Sequence, residues 1–418
     1  MNLRGFTATG RLALAFLTVS LAQCAALAGD WPQFLGPNRD GAVTDAGLAP
    51  EWPKDGPRVV WRQAVGAGFA GPVVSGGRLI LFHRLADREV VNCFDANTGH
   101  EQWKADYPTH YRDDFGFDEG PRGTPTIVSN RVYTYGAEGM LSCWDAGNGR
   151  KLWGVDTRAQ FHQQKGFFGM VCSPLAEAGA VVINVGGTDG AGLVAFDQAT
   201  GKVRWTATDD PASYASPVAA TVSGTRRIFA ITREALVSLN PLDGAVGFRY
   251  PWRPAMDASV SAASPLVIDD LIFISASYGT GATLLRLREN RPEKVWSSDE
   301  KLSNHYATSV HHDGYLFGFD GRQEHGCDLR CVELLTGKVR WSQGGLSAGT
   351  VTRAGDRLLI MTEKGELIQA PAAPTAFKPT ARAQVLPFGV RAHPALADGK
   401  FYARSKDHLY CVDLSKKP

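Results

Sequence analysis

Residues 194–205 read VAFDQATGKVRW, and this stretch decides the fold because variants of it recur along the chain. A short apolar strand leads into a tight turn, and a second strand ends on Trp205. Asp197 can accept hydrogen bonds from the amides of the turn, and Gly201 can take the positive φ that a bulged hairpin turn requires. The indole of Trp205 offers a large flat surface for packing. The stretch therefore predicts a β-hairpin that packs against a neighbouring unit.

Aromatic anchors mark the repeat of this hairpin along the chain. They stand about 36 to 52 residues apart, at Trp61, Trp103, Trp153, Trp205, Phe248, Trp296 and Trp341, with Phe377 as a weak eighth. The turns carry the same acidic and glycine signals, at Asp95, Gly99, Asp145, Gly149, Asp197, Gly201, Gly337 and Asp413. We interpret these residues as structural, because they hold hairpins together.

A second signal opens each unit with a small or hydroxyl residue before proline. It occurs at residues 71–73, 124–126, 173–175, 216–218 and 264–266, and the series continues in looser form at Ser309, Thr350 and residues 393–395. Proline is tolerated at the first position of a strand, where a missing N–H does little harm. Each signal is followed by an apolar pair, a turn and another β run, so one unit comprises four short strands. Eight such units predict an all-β, eight-bladed β-propeller.

The two ends of the repeat complement each other. The last copy, residues 409–413, stops before its tryptophan, whereas Trp61 has no strand and turn upstream. We expect residues 59–61 to supply the outermost strand of the final blade and to close the ring. The predicted division is a signal peptide at 1–28, an irregular segment at 29–57, the propeller at 58–414 and a tail at 415–418.

The first 28 residues have the plan of a secretory signal peptide. Arg4 and Arg11 precede an apolar run at residues 12–21, and Ala-Leu-Ala at 26–28 suits a cleavage site. The run is too short for a comfortable membrane span. An alternative interpretation makes residues 21–24 a lipoprotein box, with a lipid on Cys24. The chain is thus expected to be exported, with membrane attachment only if Cys24 is lipidated.

Composition argues against a nucleic-acid partner. Lys and Arg total 44 against 42 Asp and Glu, and no basic stripe is present for phosphate binding.

Three short motifs lack the sequence or structural context that their usual functions require. The Gly-x-Ser-x-Gly at residues 345–349 precedes a strand, whereas a nucleophile elbow precedes a helix. The glycine-rich run at 186–192 lacks the lysine of a phosphate loop, and His311 and His312 point to opposite faces of one strand.

The copies at residues 195–205, 93–103 and 331–341 resemble the repeat of the PQQ-binding-like (quinoprotein) β-propeller family, over roughly residues 50–413. That family includes quinoprotein alcohol dehydrogenases and a propeller lipoprotein of outer-membrane assembly, which has no cofactor. The opening residues 31–37, WPQFLGP, and the phrase at 304–306, NHY, resemble exported bacterial propellers of undefined role. The resemblance implies export to the periplasm or cell surface of a bacterium.

The resemblance also implies which parts a dehydrogenase would need. Such members hold the quinone PQQ in a planar apolar slot with a divalent ion, usually calcium, and cover it with a disulfide between adjacent cysteines. This chain has no Cys-Cys pair and no haem-attachment motif. We therefore expect no cofactor, with PQQ and calcium as the alternative. Cys93, Cys143, Cys331 and Cys411 are interpreted as core residues, and a bridge from Cys327 to Cys331 is left open.

The loops before the Ser/Thr-Pro strands should converge on the propeller axis and form a funnel. Their candidate ligand-binding residues are His110, Asp114, Glu119, Arg122, Phe168, Tyr214, Asn304, His305, Tyr306 and Arg391. An alternative is that Arg122 and Glu119 neutralise each other while the aromatic rings only cap the channel. No catalytic or metal-binding residue is assigned.

The leading hypothesis is a non-catalytic binding or assembly scaffold, with a protein, a polar small molecule or a glycan at the funnel. The alternatives are a quinone-dependent dehydrogenase with a rearranged site and a carbohydrate-binding module or enzyme.

Overall fold

Strands make up nearly all the regular structure of the chain. The computed structural model describes residues 29–44, 47–254, 256 and 259–416. Within these residues the chain forms 33 strands in eight sheets and one short helix, α1 (Thr157–Phe161). The predicted signal peptide and Cys24 lie outside the described residues. The eight-bladed propeller predicted from the repeat is confirmed.

The first four blades follow one another along the chain. They are preceded by β1 (Ala42–Val43) and β2 (Arg58–Ala64). Their strands are β3 (Val73–Ser75), β4 (Arg78–Leu85), β5 (Arg88–Asp95) and β6 (Glu101–Pro108); β7 (Thr126–Val128), β8 (Arg131–Tyr135), β9 (Met140–Asp145) and β10 (Lys151–Asp156); β11 (Leu175–Glu177), β12 (Ala180–Asn184), β13 (Leu193–Asp197) and β14 (Val203–Ala207); and β15 (Val218–Val222), β16 (Thr225–Ile231), β17 (Ala235–Leu239) and β18 (Val246–Pro251).

Blades five to eight continue the pattern. Their strands are β19 (Leu266–Ile268), β20 (Leu271–Ala276), β21 (Gly281–Arg288) and β22 (Arg291–Ser298); β23 (Val310–His312), β24 (Tyr315–Arg322), β25 (Gly326–Glu333) and β26 (Val339–Gln343); β27 (Gly349–Ala354), β28 (Arg357–Thr362), β29 (Glu366–Pro371) and β30 (Ala381–Gln384); and β31 (Ala395–Ala397), β32 (Lys400–Arg404) and β33 (His408–Asp413). In the first seven blades the four strands pair antiparallel in chain order, and β1 adds parallel to β27 at the edge of the seventh. Contacts between first strands connect β31, β3, β7, β11 and β15 in that order, and β23 with β27.

Burial explains the strand sequences. The second strand of the third blade, β12, reads AVVIN and is buried along its whole length, because neighbouring blades cover both of its faces. The outermost strand, β14, alternates exposed positions with the buried Trp205 and Ala207. Inner strands are therefore continuous apolar runs, whereas outer strands alternate.

The ring closes as predicted. Strand β2 pairs antiparallel with β33, and Trp61 lies opposite Cys411. The hairpin turn of this last blade is built from two chain segments. Asp413 contributes the acidic position, and Gly56, with φ +85°, occupies the glycine position two residues before β2. Closure thus joins the two ends of the chain within one sheet.

Tryptophan side chains join each blade to the next. Nε1 of Trp205 donates to the carbonyl of Pro241 in the turn of the following blade, at 3.1 Å. The same bond runs from Trp61 to Ala96, Trp103 to Ala146, Trp153 to Gln198, Trp296 to Leu334 and Trp341 to Ala373. The repeated indole is therefore an inter-blade contact.

The turn glycines provide the space that the indoles occupy. A Cβ on Gly201 would lie 2.7 Å from the ring of Trp153, and one on Gly149 would lie 2.4 Å from that of Trp103. Gly201 also has φ +70°, a left-handed conformation that favours glycine. Oδ1 of Asp197 accepts from the amides of Ala199 and Thr200. The three repeated residues therefore act together: the aspartate fixes the turn, and the glycine leaves room for the tryptophan of the preceding blade.

Two blades lack the indole: the fourth carries Phe248 at this position, and the seventh carries an alanine. Ala383 holds the third position of β30, where the other outer strands carry an aromatic ring, and the turn glycine Gly56 packs against its methyl group. The weak anchor Phe377 was placed wrongly, since it precedes β30 and its ring contacts Trp341 at 5.6 Å. At this outer position a methyl group replaces the indole, whereas larger side chains such as Leu359, Met361 and Phe401 join the two blades in one core cluster.

Hydroxyl groups join the innermost strands. Thr124 Oγ1 accepts from the amide of Gly71, Ser173 Oγ from that of Thr124, and Ser216 Oγ from that of Ser173. Thr308 Oγ1 accepts in the same way from the amide of Ser264. Hydroxyl groups near the start of the innermost strands are thus inter-blade hydrogen-bond acceptors, and the hydroxyl of Ser264 acts instead as a donor to the carbonyl of Ser216.

The N-terminal segment crosses the axis. Arg39 is buried, and its guanidinium donates to the carbonyls of Ser173, Pro174 and Pro217 and to Oγ1 of Thr126. These partners belong to the second, third and fourth blades. Burial lowers the pKa of Arg39 to about 10, so the side chain stays charged at neutral pH. A segment that the sequence predicts to be irregular therefore acts as a plug of the channel.

All six described cysteines are free, including Cys327 and Cys331. Cys327 lies opposite Gly321 and Cys331 opposite Phe317, so the two occupy separate positions of the β24–β25 ladder. Burial raises the pKa of both thiols to about 12. They are core residues of one blade.

Candidate functional site

A cavity opens where the loops before the innermost strands converge, and we call it the axial cavity. Six of the ten predicted ligand-binding residues line it: Arg122, Phe168, Tyr214, His305, Tyr306 and Arg391. Other residues of its wall are Phe34, Phe69, Phe117, Thr124, Val171, Ser173, Ser216, Val260, Ala262, Tyr278, Gln323, Glu324 and His393. Contributions come from the N-terminal segment and from loops of many blades.

Four predicted residues lie outside the lining. His110 is exposed, and its backbone amide donates to Glu138. Asp114 pairs with Lys165 near the surface. Asn304 is buried within the sixth blade, where Nδ2 donates to the carbonyl of Phe319. The side chains of Asp114 and Asn304 thus have partners away from the cavity, and His110 is held through its backbone.

Glu119, the fourth of these residues, was assigned the wrong partner. Its carboxylate lies 3.2 Å from Arg112 and 3.6 Å from Arg84. Arg122 instead pairs with Asp113, at 2.6 Å between Nη2 and Oδ2. The predicted neutralisation of Arg122 by a carboxylate of its own loop is thus found, but with a different residue.

Arg122 is held rigidly in one wall of the cavity. Its guanidinium also donates to the carbonyls of Phe168 and Asp118, and it lies over the rings of Phe69 and Phe168 at 5.4 and 5.3 Å. Burial opposes ionisation of Asp113, but backbone amides and Arg122 outweigh it, so the pKa of Asp113 lies below its usual value. Arg122 therefore presents a charge that is already neutralised.

Arg391 forms a second wall of the cavity, and it too is paired with a carboxylate and lies over aromatic rings. Nε lies 3.0 Å from Oε1 of Glu363, which also accepts a hydrogen bond from the hydroxyl of Tyr306 at 3.0 Å. The guanidinium of Arg391 lies over the rings of Phe69 and Phe117, at 5.6 and 5.8 Å from their centroids. Phe69 is consequently shared by both guanidiniums, and both cations have carboxylate partners.

A chain of hydrogen bonds forms the third wall. The hydroxyl of Tyr278 lies 3.0 Å from Nε2 of His305, and Nδ1 of His305 lies 2.6 Å from Oε1 of Gln323. Nε2 of Gln323 donates to Oε1 of Glu324 at 3.1 Å. Arg322 pairs with Glu324 and stacks over the ring of Tyr278 at 4.2 Å. The five side chains form one closed cluster.

Phe34 and His393 also contribute to the lining. Phe34 comes from the N-terminal segment, and its ring meets that of His393 edge-on at 5.1 Å. His393 is buried, and its Nε2 has no protein partner. Burial lowers the pKa of His393 to about 4, so the imidazole is neutral at physiological pH.

Exposed aromatic side chains surround the mouth of the cavity. Phe115, Phe117, Phe167 and Phe168 contact one another, with ring centroids 5.3–6.2 Å apart, and we call these four residues the aromatic rim. Phe115 and Phe117 are about half exposed, at 54% and 49%. Phenylalanine clusters of this kind on a protein surface mark interaction sites.

The cavity does not match the donor set of PQQ with calcium. Among the described residues, no three His, Cys, Asp or Glu side chains come together as a metal site would require. The carboxylates of Asp113 and Glu363 are already paired with Arg122 and Arg391, respectively.

Sequence reasoning missed several residues of the site. Phe69 stands just before the Gly-Pro signal of the first blade, and Tyr278 lies in the wide turn between β20 and β21. Phe34 comes from the N-terminal segment, which the sequence assigned to no blade. Phe69 could have been found from its place in the repeat, whereas nothing local to Phe34 or Tyr278 indicates that they reach the axis.

No helix within the described ranges is long and apolar enough to cross a membrane.

Comparison with solved structures shows the same fold elsewhere. BamB from Moraxella catarrhalis superposes with a TM-score of 0.63 and 14% identity, over 86% of this chain and 98% of that chain. Quinohemoprotein alcohol dehydrogenase from Comamonas testosteroni gives a TM-score of 0.61 and 16% identity, over 93% of this chain and 81% of that chain. At these identities the likeness concerns the fold alone.

Comparison of sequences gives a family. The quinohemoprotein alcohol dehydrogenase ADH-IIG of Pseudomonas putida is 31% identical over 141 residues, which cover 32% of this chain and 19% of that protein. The chain thus matches about a fifth of the length of that curated relative. A family model described as outer membrane protein assembly factor BamB matches residues 86–343. Because this match spans more than half of its residues, the chain belongs to that family of PQQ-like propellers.

Proposed function

We propose that this protein is a non-catalytic binding scaffold that holds an apolar segment of a partner polypeptide at the axial cavity. The observation that carries the proposal is the aromatic rim, which continues through Phe117 and Phe168 into the cavity wall. Aromatic side chains dominate binding energy at protein interfaces. A family described as an outer membrane protein assembly factor supports a protein partner.

The charges of the cavity support a neutral ligand. Arg122, Arg391 and Arg322 are paired with Asp113, Glu363 and Glu324, so no net charge remains to attract an anionic group. An uncharged polypeptide segment with large apolar side chains suits such a lining. We place the protein in the periplasm or at the cell surface, on the signal-peptide pattern of residues 1–28.

Peptide selection tests the proposal. A phage-displayed library of random twelve-residue peptides is selected on the full chain, and the enriched peptides are titrated calorimetrically. Phe117→Ser should weaken binding by about 30-fold, as expected for loss of an aromatic hot spot worth about 2 kcal/mol. Val246→Ser is the matched control, since Val246 is also half exposed, at 50%, but lies on β18 of the fourth blade. Equal weakening by both variants, or no enrichment, would contradict the proposal.

A quinone-dependent dehydrogenase is the second candidate. Its support is the sequence match to the quinohemoprotein alcohol dehydrogenase of Pseudomonas putida. Calorimetric titration with PQQ, with and without calcium, separates the two functions. Saturable binding that is lost in Arg122→Ala, together with oxidation of an alcohol by the loaded protein, would favour the dehydrogenase.

A glycan array tests the alternative of a carbohydrate-binding module or enzyme. Glycan binding that is lost in Tyr306→Ala would support this alternative.

A further inference from the structure

We propose that the axial cavity selects a side chain that carries a hydrogen-bond donor on an aromatic ring, namely tyrosine or tryptophan of the partner polypeptide, and that Tyr278 accepts this hydrogen bond. The inference rests on the proposed function and adds the chemical identity of the bound side chain. It follows from the direction in which protons are arranged along the cluster of Tyr278, His305, Gln323 and Glu324.

Glu324 sets that direction. Burial alone would raise the pKa of Glu324, but a backbone hydrogen bond and Arg322 hold it below its usual value, so the carboxylate is ionised and only accepts. The group of Gln323 that contacts it must therefore be the amide NH₂, as the 3.1 Å contact of Nε2 has it. The opposite orientation would bring two acceptor oxygens together. Oε1 of Gln323 is thus the atom that faces His305.

The orientation of Gln323 determines where the protons of His305 and Tyr278 lie. Oε1 of Gln323 cannot donate, so Nδ1 of His305 must carry the proton of the 2.6 Å contact. Burial lowers the pKa of His305, so the ring is neutral and Nε2 holds a lone pair. The hydroxyl of Tyr278 must then donate its proton to Nε2 across 3.0 Å.

Tyr278 is consequently an acceptor towards any ligand. Its proton is committed to His305, and a phenol oxygen with a committed proton offers only lone pairs. A ligand that meets Tyr278 must bring an O–H or N–H group. An acceptor group at the same place would face the oxygen without a hydrogen between them.

The backbone holds Tyr278 in an unusual conformation for a large side chain. Its φ is +68°, in the left-handed region, which is unfavourable for a bulky residue. Arg322 stacks over the ring at 4.2 Å, and the ring of His305 meets it edge-on with centroids 5.6 Å apart. Strained residues of this kind cluster at ligand sites, and these contacts fix the position of the phenol oxygen.

The rest of the lining favours an aromatic body for the ligand. Phe34, Phe69, Phe117, Phe168 and Tyr214 surround the same cavity. Aromatic rings pack edge-on or offset against one another and gain stabilisation beyond the burial of their surface. An aromatic ring with one donor, the side chain of tyrosine or tryptophan, combines the two requirements.

Two peptides that differ by one oxygen atom provide the test. One is a blocked pentapeptide with a central tyrosine flanked by serine and glycine, and the other has phenylalanine at the centre. Wild-type full chain should bind the tyrosine peptide about fivefold more tightly, the effect of one net hydrogen bond. Tyr278→Phe, which keeps the ring and removes the acceptor, should bind both peptides equally. Tyr214→Phe, which removes a hydroxyl elsewhere in the cavity, should keep the preference.

Equal binding of both peptides by the wild type would overturn this inference and leave the proposed function standing. A preference that survives in Tyr278→Phe would also overturn it. If neither peptide binds, this inference fails, and the selection on the random peptide library decides the proposed function separately. Nitrogen-15 NMR of the histidine side chains checks the proton arrangement without any ligand, since His305 should carry its proton on Nδ1. Protonation on Nε2 instead would overturn the assignment of Tyr278 as an acceptor.

Discussion

Nη2 of Arg122 lies 2.6 Å from Oδ2 of Asp113, and the Asp113 side chain is fully shielded from water. The pair fastens the long loop of the second blade beside the axial cavity. Removing one partner of a buried ion pair leaves an uncompensated charge. The loop before β7 therefore depends on this contact for its position.

Asp113→Ala should lower the free energy of unfolding by about 3–5 kcal/mol, because the guanidinium of Arg122 stays buried without its anion. A double-mutant cycle with Arg122→Ala, followed by urea unfolding, measures the coupling. The pair of Arg88 and Asp106 is the control, since Arg88 is half exposed and such surface pairs contribute about 0–1 kcal/mol. Similar coupling in both pairs would contradict the assigned role of Asp113.

Arg39→Lys should destabilise the protein by about 2–3 kcal/mol, although it keeps the positive charge. A lysine ammonium has three donors at one point and cannot reach the carbonyls of Ser173 and Pro217 together. Urea unfolding gives the loss. The same exchange at the exposed Arg62 on β2 should leave the midpoint unchanged. An unchanged midpoint for Arg39→Lys would show that the N-terminal plug does not need the guanidinium.

Gly201→Ala should destabilise the protein by about 2–4 kcal/mol, since it adds the left-handed backbone cost and a clash with the ring of Trp153. Gly224→Ala separates the two effects. Gly224 has φ +76°, but a Cβ there would meet no heavy atom within 4 Å. It should therefore cost only the backbone term of about 1–2 kcal/mol. Equal losses of unfolding free energy in the two variants, measured by urea unfolding, would show that the clash with the ring of Trp153 does not contribute.

Stability should fall as the pH drops from about 6.5 towards 4. Nδ1 of His83 accepts from the amide of Gly66 at 2.8 Å, while Nε2 bonds to Asn92, so the ring must be neutral. Burial lowers the pKa of His83 to about 4, below the unfolded value of roughly 6.5. Between these values the unfolded chain binds more protons, so the stability is present above pH 6.5 and lost below it.

This one histidine should account for about 2.5 kcal/mol between pH 7 and pH 4.5. His83→Gln should flatten the pH dependence of the unfolding free energy by that amount. His110→Gln, at an exposed histidine, controls for the loss of an imidazole. A variant of His83 with the same pH dependence as the wild type would exclude this residue as the source.

Much of the fold could be predicted because its determinants are local. The turn that contains Asp197 and Gly201 depends on residues within five positions of each other. The number of times that this turn recurs along the sequence indicates the number of blades. Even closure was predictable, because an unpaired Trp61 and an incomplete last copy complement each other.

The site was predicted in part. Loops at equivalent repeat positions must meet, so Arg122, Tyr306 and Arg391 were correctly brought to one cavity. Asn304 was not, because the direction of a loop side chain depends on neighbours that no repeat position specifies. Its amide turns inward to the carbonyl of Phe319.

The sequence by itself determined the blade, its turn and the number of repeats, because these depend on backbone conformation and on contacts that recur at a regular spacing. Only the tertiary structure decided that Arg122 pairs with Asp113, that Arg39 closes the channel and that Tyr278 joins His305. Those contacts occur within irregular loops or between distant parts of the chain. Their geometry exists only once the ring of blades has closed around the axis.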